Sequence, residues 1–295
     1  MRGVCMEEKK RTITKVQSSR KAASEAAEEV KATGKKVEGM TKAEEKSKAI
    51  TLRIVSAILW VLAIGCEVLA MLVILKALRM PGAEKMRIWW IIIFLVADAI
   101  LCIIAGFLWK KAAHLAPFKK NNKFVFFILT QLGMIMAAVC FLPVIILVLA
   151  SKEDKLDKKS KIIVTIVAVV LLLITGLLGF DFNPIDADTK AAAENQLGDY
   201  KKVYWTRFGH KYHLYEDCQA IKNSTDVSYS EGEEIDGEFV PAVRVAMDNG
   251  CTGLCAFCAR DAEKEGKELK GVVLEDGTIA EADETANDLT VAPEE

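Results

Sequence analysis

The sequence predicts a mainly α-helical membrane protein: a four-helix transmembrane bundle followed by a small α+β module whose own core is slight. Three observations predict it. Four apolar windows of spanning length fall within the first 180 of the 295 residues. The charges are sorted: residues 1–180 carry 28 Lys/Arg against 14 Asp/Glu, and residues 181–295 carry 11 against 26. Third, His213, Cys218, Cys255 and Cys258 cluster late in the chain. An apolar fraction of 52% and a positive mean hydropathy exclude a disordered chain, and the sorting of charge excludes one soluble domain of average composition.

Residues 1–49 read as a charged helical tail. Val16, Ala23, Val30 and Val37 recur every seven residues, with Ala26 and Met40 three residues after two of them. That is a thin heptad seam. Small alanines and the breakers Gly34 and Gly39 weaken it, so a solvated helix is favoured over self-association or contact with lipid head groups. Thr41-Lys42-Ala43-Glu44 matches a capping box and starts the helix that enters the first span.

The spans are placed at 54–75, 88–109, 124–150 and 162–180, within a domain covering 50–180. Each satisfies the requirement of about 20 mostly apolar residues, and the third is long enough to tilt, with a kink expected at Pro143. Residues 1–49 contain no apolar core of the signal-peptide kind. The loop between the second and third spans is flanked by Lys110, Lys111, Lys119, Lys120 and Lys123, and the N-terminal flank holds Lys42, Lys46, Lys48 and Arg53. The other two loops hold Lys76, Arg79, Lys85 and Arg87, and Lys152, Lys155, Lys158, Lys159 and Lys161 among three acids. The positive-inside rule therefore only tilts toward cytoplasmic termini, a side the long basic N-terminal tail supports, with the chain expected in the inner (plasma) membrane.

Two carboxylates interrupt the spans. Glu67 lies past the middle of the first and Asp98 at the middle of the second, so antiparallel neighbours bring them within about one turn in depth. A mid-bilayer charge costs at least ~2.5–3.5 kcal/mol, so such groups face a partner or water. A proton or cation site, hence a small transporter or channel, is one reading. A hydrogen-bonded packing pair is the other, and it is favoured because no broken-helix pair or inverted repeat accompanies the acids. Thr130 and Gln131 fit an interfacial position. His114 sits in a basic loop with no evident partner.

Residues 181–200 form a linker: Asn183-Pro184 stops the helix, Asp188 caps a short helix over 191–196, and Gly198 ends it. Residues 201–266 form the module. Lys202–Phe208 and Lys211–Tyr215 around Gly209 give a hairpin signal, residues 227–230 have strand character, and Pro241 introduces a helix over 242–248 that ends at Gly250. Residues 267–295 form an acidic tail without a core.

Zinc takes tetrahedral sets of thiolates and imidazoles. His213-x4-Cys218 sets two ligands at a strand end and the following turn, and Cys255-Ala-Phe-Cys258 aims two sulfurs at one point. A segment this small needs a staple. Cys251 is the alternative fourth ligand to His213. A thioredoxin-like role for the C-x-x-C lacks its βαβ context, and a disulfide needs an oxidising face. His210 reads as solvated.

The run Val203–Cys218, with Tyr204, Thr206, Gly209, Tyr212, His213 and Cys218, together with Cys255-x-x-Cys258, resembles a Cys/His module appended to uncharacterised bacterial membrane proteins. That module is similar in ligand pattern to the metal-binding segment of Ada-type DNA repair proteins. The resemblance covers about residues 202–260 and implies zinc held by His213, Cys218, Cys255 and Cys258. Methyl transfer is not implied, because binding nucleic acid calls for a basic face and this half is acidic. The expectation is a membrane-anchored binding or sensing protein with structural zinc. Its partners are the lipid bilayer, an unidentified protein or a second copy of the chain, and not nucleic acid. No Ser-His-Asp set, P-loop or HExxH marks an enzyme.

Overall fold

A computed structural model describes residues 34–78, 81, 84–151 and 156–266. The expected tail helix and heptad positions before residue 34, and the acidic tail from 267, lie outside the described residues. Where the tail enters the structure it is extended rather than helical. Strand β1 (Lys35–Lys36) pairs in parallel with β4 (Val227–Glu231) of the C-terminal module. Val37, a heptad position in the sequence, packs instead against the module's core. Gly39 permits the approach, since a Cβ there would lie 2.7 Å from a methyl of Val240.

Helix α1 (Lys42–Ile74) begins at the expected capping box, with both reciprocal bonds between Thr41 and Glu44 in place. It is followed by α2 (Glu84–Leu115), α3 (Lys123–Thr130), α4 (Leu132–Ala150) and α5 (Lys158–Gly179). Four of these, α1, α2, α4 and α5, are long and apolar enough to cross a membrane. α2 and α4 form the central pair; α1 packs on one side of them and α5 on the other. Ile58, Val61, Ile146, Leu149, Leu173 and Leu177 point outward and are exposed. An unbroken apolar girdle of this extent is what lipid covers and water does not.

Helix α4 runs through Pro143 without ending there, and the third apolar window is interrupted instead at Gln131, between α3 and α4. Gln131 is buried rather than interfacial: its Nε2 donates to the Asp181 carbonyl at 2.8 Å, and its Oε1 accepts from the Asp181 N–H at 2.9 Å. A side-chain amide that satisfies both groups of a distant peptide unit offsets the helix bonds lost at the break. His114 is also partnered, contrary to expectation. Its Nε2 lies 3.6 Å from the Asp181 carboxylate.

The stretch expected as a linker is a packed element. Helix α6 (Ala187–Leu197) is capped by Asp186 rather than Asp188; the Asp186 side chain accepts from the Thr189 N–H at 2.8 Å. α6 is longer than expected and lies between the bundle and the module. The Ala187 N–H donates to the Phe118 carbonyl at 3.1 Å and Lys190 Nζ to the Leu115 carbonyl at 2.9 Å. The start of α1, the ends of α2 and α5, and the module therefore share one end of the bundle.

The module is a five-stranded sheet in the order β1-β4-β2-β3-β7, built from β2 (Lys202–Thr206), β3 (Lys211–His213) and β7 (Gly253–Leu254) beside β1 and β4. β2 pairs antiparallel with β3 and β4, and β3 pairs in parallel with β7. A separate hairpin, β5 (Glu233–Ile235) and β6 (Glu238–Val240), turns at Asp236-Gly237 with φ of 50° and 78°. Positive φ at both turn positions is what an Asp-Gly pair supplies. Helix α7 (Ala242–Asp248) packs on the sheet, and α8 (Ala256–Lys264) closes the module. Val203, Trp205, Tyr212, Leu214, Met247 and Leu254 form much of the core.

Candidate metal centre

Short local features bring four side chains together. β3 ends at His213, and the chain then turns so that Cys218 N–H reaches the Tyr215 carbonyl at 3.3 Å. β7 runs parallel to β3, and the Cys255 N–H continues that pairing to the Tyr212 carbonyl at 3.1 Å. Cys255 is thereby anchored beside the end of β3. It is also the N-cap of α8, so Cys258 follows in the first turn on the same face.

The resulting ligand atoms, His213 Nδ1 and the sulfurs of Cys218, Cys255 and Cys258, all lie within 4.8 Å of one another, and all four residues are buried. His213 Nδ1 lies 3.4 Å from Cys218 Sγ and 3.9 Å from Cys258 Sγ; Cys218 Sγ lies 3.9 Å from Cys255 Sγ. A tetrahedral zinc with bonds near 2.3 Å to sulfur and 2.1 Å to nitrogen requires ligand–ligand edges of about 3.8 Å for S···S and about 3.6 Å for N···S. The observed separations fit those edges. The 3.9 Å between the Cys218 and Cys255 sulfurs is far longer than a disulfide, which needs about 2.05 Å, and all three cysteines are free. The donor set thus fits a tetrahedral metal ion.

The surroundings favour thiolate at Cys255 and aim N–H donors at all three sulfurs. Backbone N–H groups of Phe257 and Cys258 point at Cys255, that of Leu214 at Cys258, and that of Ala220 at Cys218. Such donors stabilise sulfur anions and orient them, as outer partners do around metal ligands. Donation from the Cys258 thiol, and then from His213, holds the Cys255 thiol down to about 3. Cys258 is pushed up in return, chiefly by sharing its proton with Cys255. Burial raises Cys218.

Cys251 stands apart. It is fully buried, its sulfur faces the carbonyls of Lys211 at 3.7 Å and Gly209 at 4.0 Å, and burial pushes its thiol up to about 12. It is not among the converging ligand atoms, which decides the geometry in favour of His213. His210 is exposed, as expected.

A second group lies between the apolar helices. Glu67 and Asp98 are both buried and in electrostatic contact, as their matched depths predicted. The sequence reading missed what surrounds them. Cys102, one turn on from Asp98, lies with its Sγ 3.6 Å from Asp98 Oδ1, and Cys140 of α4 joins the pair, with the three ligand atoms within 4.8 Å of one another. The Asp98-x3-Cys102 spacing was the available signal, since residues four apart share a helix face. Thr130 takes no part; its hydroxyl bonds the Phe126 carbonyl of its own helix at 2.9 Å.

A buried charge network ties the module to the bundle. Lys190 Nζ lies 2.5 Å from Asp248 and 3.2 Å from Glu45, and Arg244 meets Glu194 at 3.0 Å and Glu238 at 2.9 Å. These residues come from α1, α6, β6 and α7. No family model, curated protein or solved structure matches the chain.

Proposed function

We propose that the chain is a membrane-anchored binding protein whose module is held together by one structural zinc ion and serves an interaction or sensing role. The observation that carries the reading is the buried group of His213, Cys218, Cys255 and Cys258 at tetrahedral edge lengths. Four protein ligands close a zinc coordination sphere, whereas a catalytic zinc keeps one position for water or substrate. A closed site builds a surface instead of turning over a substrate. The four apolar helices supply the anchor. The likeness of the ligand pattern to Ada-type segments points the same way.

Placement on the cytoplasmic side of the inner (plasma) membrane is part of this reading, because three thiolates persist only in a reducing compartment. The module's acidity argues for a protein partner over nucleic acid.

Metal analysis with limited proteolysis of the purified full chain tests the proposal. Zinc should protect residues 201–266 from cleavage. Cys258→Ser and His213→Ala should each remove that protection and one zinc per chain. A module that resists protease after chelation, with Cys255 and Cys258 joined by a disulfide, would sink both the zinc reading and the cytoplasmic placement.

A further inference from the structure

We propose that Asp98, Cys102 and Cys140, with Glu67 beside them, form a second metal site: an intramembrane site for a divalent transition-metal ion of borderline softness. It is independent of the module, and three helices build it. Asp98 and Cys102 project from one face of α2, Cys140 comes from α4, and Glu67 comes from α1. All four are at least nine-tenths buried: exposure is 0% for Asp98 and Cys140, 3% for Glu67 and 4% for Cys102.

The second observation is an unmet demand at each carboxyl group. Asp98 Oδ2 and Glu67 Oε1 are buried without a hydrogen-bond partner. Each such oxygen is costly where no water competes to satisfy it. The protein satisfies the other side of each group with care. The Cys102 thiol donates to Asp98 Oδ1, Cys140 also reaches Asp98, and the Val144 N–H, just past Pro143, reaches the Glu67 carboxyl. A packing pair would satisfy its oxygens mutually across the helices. Here one oxygen of each is left over, and the Asp98 carboxyl is the one that converges with two sulfurs.

The donor chemistry selects the ion. Two sulfurs and one aspartate oxygen, with the Glu67 carboxyl close to Asp98, do not suit calcium or magnesium, which take six or more oxygen ligands. Mixed sulfur and oxygen in a small coordination sphere suits Zn²⁺ and its softer congener Cd²⁺. Charge balance fixes the step. A dication in a low-dielectric site is neutralised by two anionic ligands, so M²⁺ binds as two protons leave the four protonatable groups, and the other two groups stay protonated. No electron is transferred and the net charge of the site does not change, which is what burial in a membrane demands.

The full chain, reconstituted in lipid nanodiscs and stripped of metal, tests this with Cd²⁺ as the probe. Two Cd²⁺ per chain are expected by elemental analysis. Cys102→Ser/Cys140→Ser should lower the count to one, Asp98→Asn should weaken that same ion at least tenfold, and Cys258→Ser should remove only the other. A count of one that survives Cys102→Ser/Cys140→Ser and is lost in Cys258→Ser overturns the proposal. A count of one with the reverse pattern supports it while defeating the module's zinc. Because the double variant can misfold, alkylation of the wild-type chain by a membrane-permeant maleimide gives a second measurement. Cd²⁺ should slow modification of Cys102 and Cys140 at least tenfold, and unchanged rates overturn the site.

Discussion

At the scale of single residues, the module separates three cysteines that converge with His213 from one that packs. Cys251 is as buried as the ligands, but its sulfur faces two backbone carbonyls and its raised pKa keeps it a neutral thiol. Cys251→Ser is therefore expected to leave the metal content unchanged, because a hydroxyl keeps the donor toward those carbonyls. The cost should stay within about 1–3 kcal/mol, the penalty for an imperfectly paired buried polar group. Denaturant unfolding of the full chain with a zinc assay on the same sample checks both numbers; loss of zinc would return Cys251 to the ligand set. The ligand residues were legible in the sequence because metal spacing is local: x4 and x2 gaps survive any fold. The resemblance implied His213 with Cys251 left as the alternative, and the parallel pairing of β7 with β3 is what brings His213 to the sulfurs. Cys102 and Cys140 were hidden for another reason. In an apolar run a cysteine reads as one more small hydrophobe, and only the packing of α2 on α4 brings Cys140 to Asp98.

At the scale of elements, what the sequence concealed is mostly non-local. Lys35–Lys36 carries no strand signal, and its extension comes from the free edge of β4. The hairpin at Asp236-Gly237 had a local signal, but it was masked by the acidity of its neighbours. Helix α6 looked like a linker because its only strong feature, Lys190, is polar. Its role becomes visible once Lys190 is seen buried between Asp248 and Glu45. Two buried cations, Lys190 and Arg244, and the exposed Lys42 face four carboxyl groups here: Glu45, Glu194, Glu238 and Asp248. With acids in excess, burial first and then Glu45 push Asp248 up from 3.8 to about 8, against the pull of Lys190. Between those values the folded chain binds more protons at Asp248 than the unfolded chain does. Stability from this group is then greatest at low pH and falls as pH rises through the window. Asp248→Asn should flatten that decline between about pH 4 and 8, read by hydrogen exchange of the α7 amides. Lys190→Met should cost about 3–5 kcal/mol at alkaline pH, where both carboxylates lose their cation, and less at pH 5, where a proton replaces it. Equal losses at both pH values would refute the account.

The bundle itself closes through backbone contact. Gly106, Gly133 and Gly179 meet where α2, α4 and α5 cross; a Cβ on Gly133 would fall 2.8 Å from the Gly179 carbonyl oxygen. Small residues at such crossings let apolar helices pack where lipid is as apolar as the helices themselves. Gly133→Val is expected to push α4 from α5 and lower the melting temperature of the solubilised chain, whereas Gly65→Ala, with open space around it, should not. Equal melting points would remove the crossing as a packing determinant.

At the scale of the whole molecule, topology and chemistry constrain each other. The start of α1 and the end of α5 lie at the module's end of the bundle, joined there by Lys190, Glu45 and the Lys110 contact to the Leu178 carbonyl at 2.6 Å. The ends of α1 and α4 lie at the opposite end of the bundle, so four crossings, as proposed, would put the start of α1 and the module on one side. The lysine-rich segment between α2 and α3 lies on the module's side, and it carries no acid, whereas the lysines between α4 and α5 are interspersed with Glu153, Asp154 and Asp157. The proposed zinc site would put that side in the cytoplasm by a separate route. Cys218, Cys255 and Cys258 must stay reduced to bind zinc, and an oxidising compartment would join the C-x-x-C pair. A reporter fused after Glu295 should be active only in its cytosolic form, and one inserted between Ser151 and Leu156 only in its exported form. Thiol labelling of intact cells with an impermeant reagent should leave the module's cysteines untouched. Exported activity at both positions would break the four-span arrangement. Exported activity at Glu295 alone, with cytosolic activity at the loop, would keep the arrangement, invert it, and take the structural zinc with it.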